Sequence, residues 1–156
     1  MLILIFHIGN SLYAIDSSHV IEVIPRVTYR EVPYVPKYVA GLFNYRGAIV
    51  PVIDLCQLIR GTPSKPYLST RVIMVSYPSK DDKLQYIGLM AERVIKTINK
   101  PEIEFVSSGI QTNKAAYLGG MVMDEKGMIQ RIDLDRLFAE LKPIRFLGAG
   151  NDSTIN

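Results

Sequence analysis

Tryptophan is absent from this chain, cysteine occurs once and histidine twice. The single thiol, Cys56, cannot close an intramolecular disulfide, which suits a reducing compartment. One cysteine and two distant histidines, His7 and His19, cannot supply a tetrahedral metal site. Runs of lysine and arginine are missing too. The net charge of +3 and the pI near 9.0 therefore read as solubility charge and not as a nucleic-acid footprint. No apolar run approaches the roughly 18–20 residues that span a bilayer. The first such run, Met1 to Phe6, has neither a basic leader nor a small-residue cleavage site, and it reads as a strand.

Reactive constellations are missing as well. No Gly-x-x-x-x-Gly-Lys-Ser/Thr or Gly-x-Gly-x-x-Gly loop is present to cradle phosphates, and Gly119-Gly120 reads as a strand bulge. Asp81-Asp82, beside Lys80 and Lys83, fits a solvated turn. Asp133-x-Asp135 fits a helix start. Ser107-Ser108 has no neighbouring base to activate it. His7 lies within an apolar strand, where packing is the simpler reading, and His19 lies in a polar turn, where solvation is. The expectation is a protein without catalytic residues, metal or cofactor, one that works by binding.

What is present is strand material. With 48% hydrophobic and 21% charged residues over 156 positions, the chain can bury one sizeable core or two small ones. Leu2 to Ile8 and Ser11 to Ile15 read as a hairpin around Gly9-Asn10. Val20 to Ile24 is a strand stopped by Pro25, and Pro33 and Pro36 stiffen the connection that follows. Tyr38 to Phe43 and Ala48 to Ile53 form a second hairpin over Asn44-Tyr45-Arg46-Gly47, with Gly47 supplying positive φ. Asp54 caps a helix from Leu55 to Arg60, and Gly61 to Pro66 is linker-like. Strands follow at Arg71 to Tyr77, Leu84 to Met90, Val94 to Ile98, Ala115 to Met123 and Met128 to Ile132. Asp133 caps a last helix, Leu134 to Leu141.

The two halves repeat one another. Val20-Ile-Glu-Val-Ile24 parallels Val94-Ile-Lys-Thr-Ile98, and Gly47 to Ile59 parallels Gly127 to Phe138 with one deletion. Such self-similarity points to duplication of one small β unit and to an all-β protein of two small barrels with about five strands each. Tyr34, Tyr38 and Tyr45 cluster around the central hairpin, suited either to an interface or to covering the barrel ends. Arg46, at the turn, can bridge to a docking helix or pin its own loop by an internal hydrogen bond.

Pro33-x-x-Pro36, Gly41-Leu-x-Asn-x-Arg46-Gly47 and Ile49-Val50-Pro51-Val52-x-Asp54-Leu55 resemble the signature of CheW-like domains, the adaptors of bacterial chemosensory arrays. The resemblance covers residues 1–141 and implies a single domain of two tandem, intertwined SH3-like five-stranded β-barrels with short capping helices. Its subdomains would fall roughly at 15–66 and 67–141 plus the N-terminal strand, with a flexible tail at 142–156. It implies a non-catalytic scaffold that couples the cytoplasmic tip of methyl-accepting chemoreceptors to the regulatory domain of a CheA-type histidine kinase. Such a protein would be cytoplasmic, recruited to membrane-associated receptor arrays without inserting into the bilayer, and it would serve chemotaxis or pilus motility. Carried over by motif position, the receptor-binding residues would be Arg46, Val20, Glu22, Gly41, Gly47 and Gly88, the glycines letting a receptor helix approach. The chain departs from the family at Phe43 and Tyr45, where smaller aliphatics are usual, and at Ala91-Glu92. The alternatives are a small nucleic-acid-binding barrel, for which Arg26, Tyr29 and Arg30 offer a trace of basic and aromatic interleaving, and a ligand-binding module with a cleft between barrels.

Overall fold

A computed structural model describes residues 1–78, 84–101, 104–107, 109 and 115–141. The Asp81-Asp82 turn and the 142–156 tail lie outside the described residues. The elements are β1 (Leu2–Ile8), β2 (Ser11–Asp16), a 3-10 turn (Ser17–His19), β3 (Val20–Pro25), β4 (Val39–Tyr45), β5 (Ala48–Asp54) and α1 (Leu55–Arg60). They continue with β6 (Arg71–Pro78), β7 (Leu84–Ala91), β8 (Arg93–Asn99), β9 (Leu118–Asp124), β10 (Gly127–Ile132) and α2 (Leu134–Glu140).

Local chemistry explains the junctions. The Asp54 carboxylate accepts the Cys56 and Gln57 backbone N–H groups at 3.0 and 3.3 Å and starts α1. Gly61, at φ 78°, ends it with its N–H on the Gln57 carbonyl. Asp133 does the same work for α2, accepting the Arg136 N–H at 3.2 Å. Glycine pairs with a carbonyl in β9. A Cβ on Gly120 would stand 3.0 Å from the Val106 carbonyl oxygen, and the β9–β10 register shifts there as the Gly-Gly pair foretold.

The strands form two five-stranded sheets, ordered β8-β1-β2-β10-β9 and β3-β6-β7-β5-β4. Two pairings are parallel, β2 with β10 and β5 with β7, and the rest are antiparallel. Each sheet joins two strands from one sequence repeat to three from the other: β1 and β2 with β8–β10, β6 and β7 with β3–β5. Strands of residues 20–91 thus make the second sheet, whereas the sequence reading divided the halves near residue 66.

The outer strands of each sheet turn toward one another. After β3 the chain meets the opposite edge β4 in one isolated bridge, Arg30 with Leu42, and after β8 it meets β9 through Val106 with Met121. Pro25 and Pro101 have no N–H to donate, so neither β3 nor β8 extends into a longer ladder.

One core lies between the sheets. Leu4, Phe6, Ile8 and Ile15 pack there against Ile53, Ile73, Val75, Ile87 and Leu89, and α1 and α2 add Leu55, Leu134, Leu137 and Phe138. Burying each such side chain contributes about 1.5–3 kcal/mol. His19 joins this packing edge-on, 6.1 Å from the Phe138 ring, so it is half-buried and not simply solvated as its polar neighbours suggested. Two smaller clusters use the alternate residues of the same strands and so lie on the other face of each sheet, one around Ile3, Ile5, Val122 and Ile129, the other around Tyr45, Val50, Val52, Val72 and Met74.

The linker-like stretch from Gly61 to Pro66 is fastened. Ser64 donates through both its N–H (2.8 Å) and its hydroxyl (2.6 Å) to Asp54, and the Lys65 N–H donates to Glu92 at 2.8 Å. Both carboxylates are buried, a property that composition does not reveal. Asp54 therefore holds a helix and a strap, whereas Asp133 holds only a helix. In urea unfolding, Asp54→Ala is expected to cost about 2–3 kcal/mol and Asp133→Ala about 0.5–1 kcal/mol; equal costs would show that the strap contributes nothing.

Candidate functional site

The second sheet aligns three of the motif positions. Glu22 on β3 stands opposite Met74, Met74 opposite Gly88, Gly88 opposite Val52, and Val52 opposite Gly41. The five residues form one row across all five strands, with side chains on one face. Within the row the two glycines are enclosed. A Cβ on Gly88 would stand 2.7 Å from Val72 Cγ1, and one on Gly41 would collide with the Arg30 carbonyl of the isolated bridge. Both are places where the fold packs too tightly for a side chain. Val20 also packs inward, against the inter-sheet core, while its neighbours Ile21 and Val23 are the exposed apolar residues of β3.

At the rim of the same sheet, side chains join the two edges. Glu22 Oε1 accepts the Tyr45 hydroxyl at 2.6 Å and the Arg46 Nη2 at 2.8 Å. The Arg46 guanidinium also lies over the Tyr45 ring, 5.1 Å from its centroid. Tyr45 is itself buried and stacks edge-on against Tyr86 at 5.7 Å. A rigid aromatic on the last residue of β4 thus orients an acid on β3 and a cation in the turn. Burial first, and then the bond to Glu22, push the Tyr45 phenol above its ordinary value, so it stays a donor.

The turn is tighter than a lone Gly47 requires. Arg46 and Gly47 both have positive φ, 51° and 87°, the geometry of a two-residue type I′ hairpin. Asn44 Oδ1 accepts the Gly47 N–H at 2.8 Å, which explains locally why Asn, Arg and Gly occur in that order. Arginine in the left-handed region costs about 1–2 kcal/mol. The guanidinium remains two-thirds exposed, with side-chain accessibility of 67%. Ile49, opposite Asn44 across the hairpin, is also exposed. Of the clustered tyrosines, Tyr34 is fully exposed at positive φ, Tyr38 packs against the inter-sheet core and Tyr45 is buried.

Sequence reasoning named Arg46 and Glu22 separately. It missed Tyr45 as the group that joins them. The available signal was an aromatic immediately before the turn arginine, with an acid on an edge strand. Among the described residues no group of three His, Cys, Asp or Glu could hold a metal. No helix among them is long and apolar enough to cross a membrane.

The exposed Arg46–Glu22 pair contributes little to stability, so Arg46→Ala is expected to shift unfolding by less than about 1 kcal/mol. Tyr45→Phe is expected to cost about 1–2 kcal/mol at neutral pH. Because the folded-state pKa is raised, that increment is complete below about pH 10 and fades as pH rises through the folded value. The gap between the wild type and the Phe variant should therefore narrow in alkaline urea melts; a gap that widens would refute the assigned donor.

The comparisons with known proteins agree with this geometry. A family model described as the CheW-like domain matches residues 2–142. The chain is 28% identical to the chemotaxis protein CheW of Treponema pallidum over 86% of this chain and 79% of the relative. It is 31% identical to the protein PilI of Pseudomonas aeruginosa over a shorter stretch, 45% of this chain and 39% of that protein. The crystal structure of the scaffolding protein TtCheW from Thermoanaerobacter tengcongensis superposes with a TM-score of 0.72 at 27% identity, covering 84% and 82% of the two chains. A match over nearly the whole length, on a fold whose edges meet at the motif residues, gives the family directly: this chain belongs to the CheW-like domains.

Proposed function

We propose that this protein is a non-catalytic coupling adaptor, linking methyl-accepting chemoreceptors to a CheA-type histidine kinase in chemotaxis or pilus-driven motility. The observation that carries the reading is the exposed, oriented Arg46 at the motif hairpin, in a chain similar to chemotaxis CheW proteins and, over part of its length, to PilI. Each five-stranded sheet, curled until its edges meet at one bridge, is read as one SH3-like barrel, and the exchange of strands makes the two barrels one domain over residues 1–141. The adaptor would act in the cytoplasm and reach receptor arrays through its partners.

In this reading the receptor tip docks on the rim that carries Glu22, Arg46 and Gly47. Arg46 offers charge-assisted bonds to carboxylates or helix-end carbonyls, and Ile21, Val23 and Ile49 supply exposed apolar area. Gly41, Gly88 and Val20 contribute from below, by setting how closely the strands under that rim pack. The kinase regulatory domain binds elsewhere, so receptor state passes to the kinase by relative placement.

Titration of the protein against a receptor-tip fragment and against the kinase regulatory domain tests this. Arg46→Ala is expected to weaken receptor binding by about ten- to a hundredfold while leaving kinase binding and the melting temperature nearly unchanged. Absence of binding to either partner at about 100 μM would overturn the adaptor reading. Receptor binding indifferent to Arg46 would move the site off this rim.

A further inference from the structure

A second concavity lies away from Glu22, Tyr45 and Arg46, around the β1–β2 turn. A cleft of about 650 Å³ is bounded by His7, Tyr13, Arg93, Lys126 and Gln130. It shares His7, Asn10 and Arg93 with an adjoining cleft of about 870 Å³ that reaches Arg60, Lys65 and Glu92. Both volumes fall in the range of small-molecule sites, about 300–1,000 Å³.

The charge along this cleft is one-sided. Arg60 from the end of α1 and Lys65 from the strap line the larger of the two joined clefts, Lys126 from the β9–β10 turn lines the smaller, and Arg93 from β8 lines both. None of these cations forms an ion pair with a carboxylate among the described residues. Glu92 is the acid in the lining, and it is turned inward. Its two oxygens accept the Gly9 N–H at 3.0 Å and the Lys65 N–H at 2.8 Å, and the residue is 7% exposed. Four cations against one engaged carboxylate leave a surplus of three positive charges here, equal to the +3 of the whole chain.

The backbone accommodates this arrangement. The Arg60 guanidinium lies over Gly9, at φ 60°, where any Cβ would collide with it. His7 titrates below its ordinary value, first because it is partly buried and next because Arg93 and Lys126 repel a proton there, with Gly9 and Glu92 acting the other way. Asn10, Ser11 and Gln130 add neutral hydrogen-bonding groups to the first cleft.

We propose that this cleft binds a small polyanion carrying two or more phosphate groups. Guanidinium groups from α1 and β8 suit bidentate contact with phosphate oxygens, and the ammonium groups of Lys65 and Lys126 serve as point charges on either side. Cations grouped around two adjoining open clefts that share His7, Asn10 and Arg93 favour a compact ligand over an extended acidic peptide, which would need a longer track. The site lies outside the proposed receptor rim and does not depend on that reading.

Isothermal titration calorimetry of the full chain with inorganic pyrophosphate at low salt is the test, with hexaglutamate in a parallel arm. Saturable one-to-one binding of pyrophosphate is expected, weakening as salt is added. Arg93→Gln and Lys126→Gln should each reduce the affinity about tenfold, Arg93→Lys should restore part of it, and Arg46→Ala should leave it unchanged. Thermal melts of each variant check that the fold survives, as exposed positions allow. No heat with pyrophosphate up to about 10 mM, equal affinity in the charge variants, or tighter binding of hexaglutamate would each overturn the proposal.

Discussion

Neither repeat of this chain can complete a sheet alone. The first supplies β1–β5 and the second β6–β10, yet the hydrogen-bonded sheets combine β1 and β2 with β8–β10, and β6 and β7 with β3–β5. The exchange forces both sheets to share a core, in which strands from both repeats and both helices bury side chains together. A unit that cannot hide its apolar face without its neighbour has no independent stability, and here each repeat buries its strands against the other. The crossovers carry that constraint. Glu92 sits between β7 and β8, where the chain passes from one sheet to the other, and it ties the β1–β2 turn to the strap after α1.

The same exchange leaves each sheet with two edges facing one another, and the chain treats the two pairs differently. The isolated bridges place Leu42 and Met121 at corresponding positions, making Arg46 equivalent to Glu125, and the strand registers, Glu22 opposite Met74 and Lys96 opposite Ile5, make Glu22 equivalent to Lys96. At these positions the charges are reversed between the two sheets. One rim carries a short Glu22–Arg46 contact, an aromatic support and a non-glycine residue in the left-handed region. The other has a looser link, Lys100 with Asp124 at 3.9 Å, and positive φ falls on Gly127, where it costs little. Of the two similar rims, only the first carries backbone strain at an exposed cation, the kind of site at which strain accompanies function.

Much of this was legible in the sequence, for reasons that differ by residue. Strands, caps and the repeat could be read because period-two burial, Asp54 and Asp133 as caps, and glycines at helix ends are local signals. Strand exchange could not, since either repeat could equally pair within itself, and only the shared core decides. The repeat alignment shows the same limit. Identity pairs Gly47 with Gly127, but the bridges equate Gly127 with Ala48 and remove the apparent deletion from the strand. Gly61 to Pro66 read as a linker because its polar residues are local, while the carboxylates that fasten it lie 10 and 27 residues away. Within the site, Arg46 was legible as a turn residue. The link from Tyr45 to Glu22, across 23 residues of sequence and the full width of a sheet, was not.

An adaptor without chemistry can only position its partners, so what it presents must already be ordered. A free arginine side chain loses about 2 kcal/mol of rotamer freedom when a partner fixes it. Here the ring of Tyr45 beneath the guanidinium and the carboxylate of Glu22 beside it meet part of that cost before any encounter. The aromatic rings of Phe43 and Tyr45 meet at a tilt with centroids 6.0 Å apart, which adds to the support beneath the guanidinium. A smaller side chain at residue 45 would leave the same arginine in the same turn but free to sample other rotamers. On the proposed reading, then, the aromatic support sets how firmly the contact residue is held, and a partner suited to a fixed guanidinium would distinguish this rim from one whose arginine is mobile.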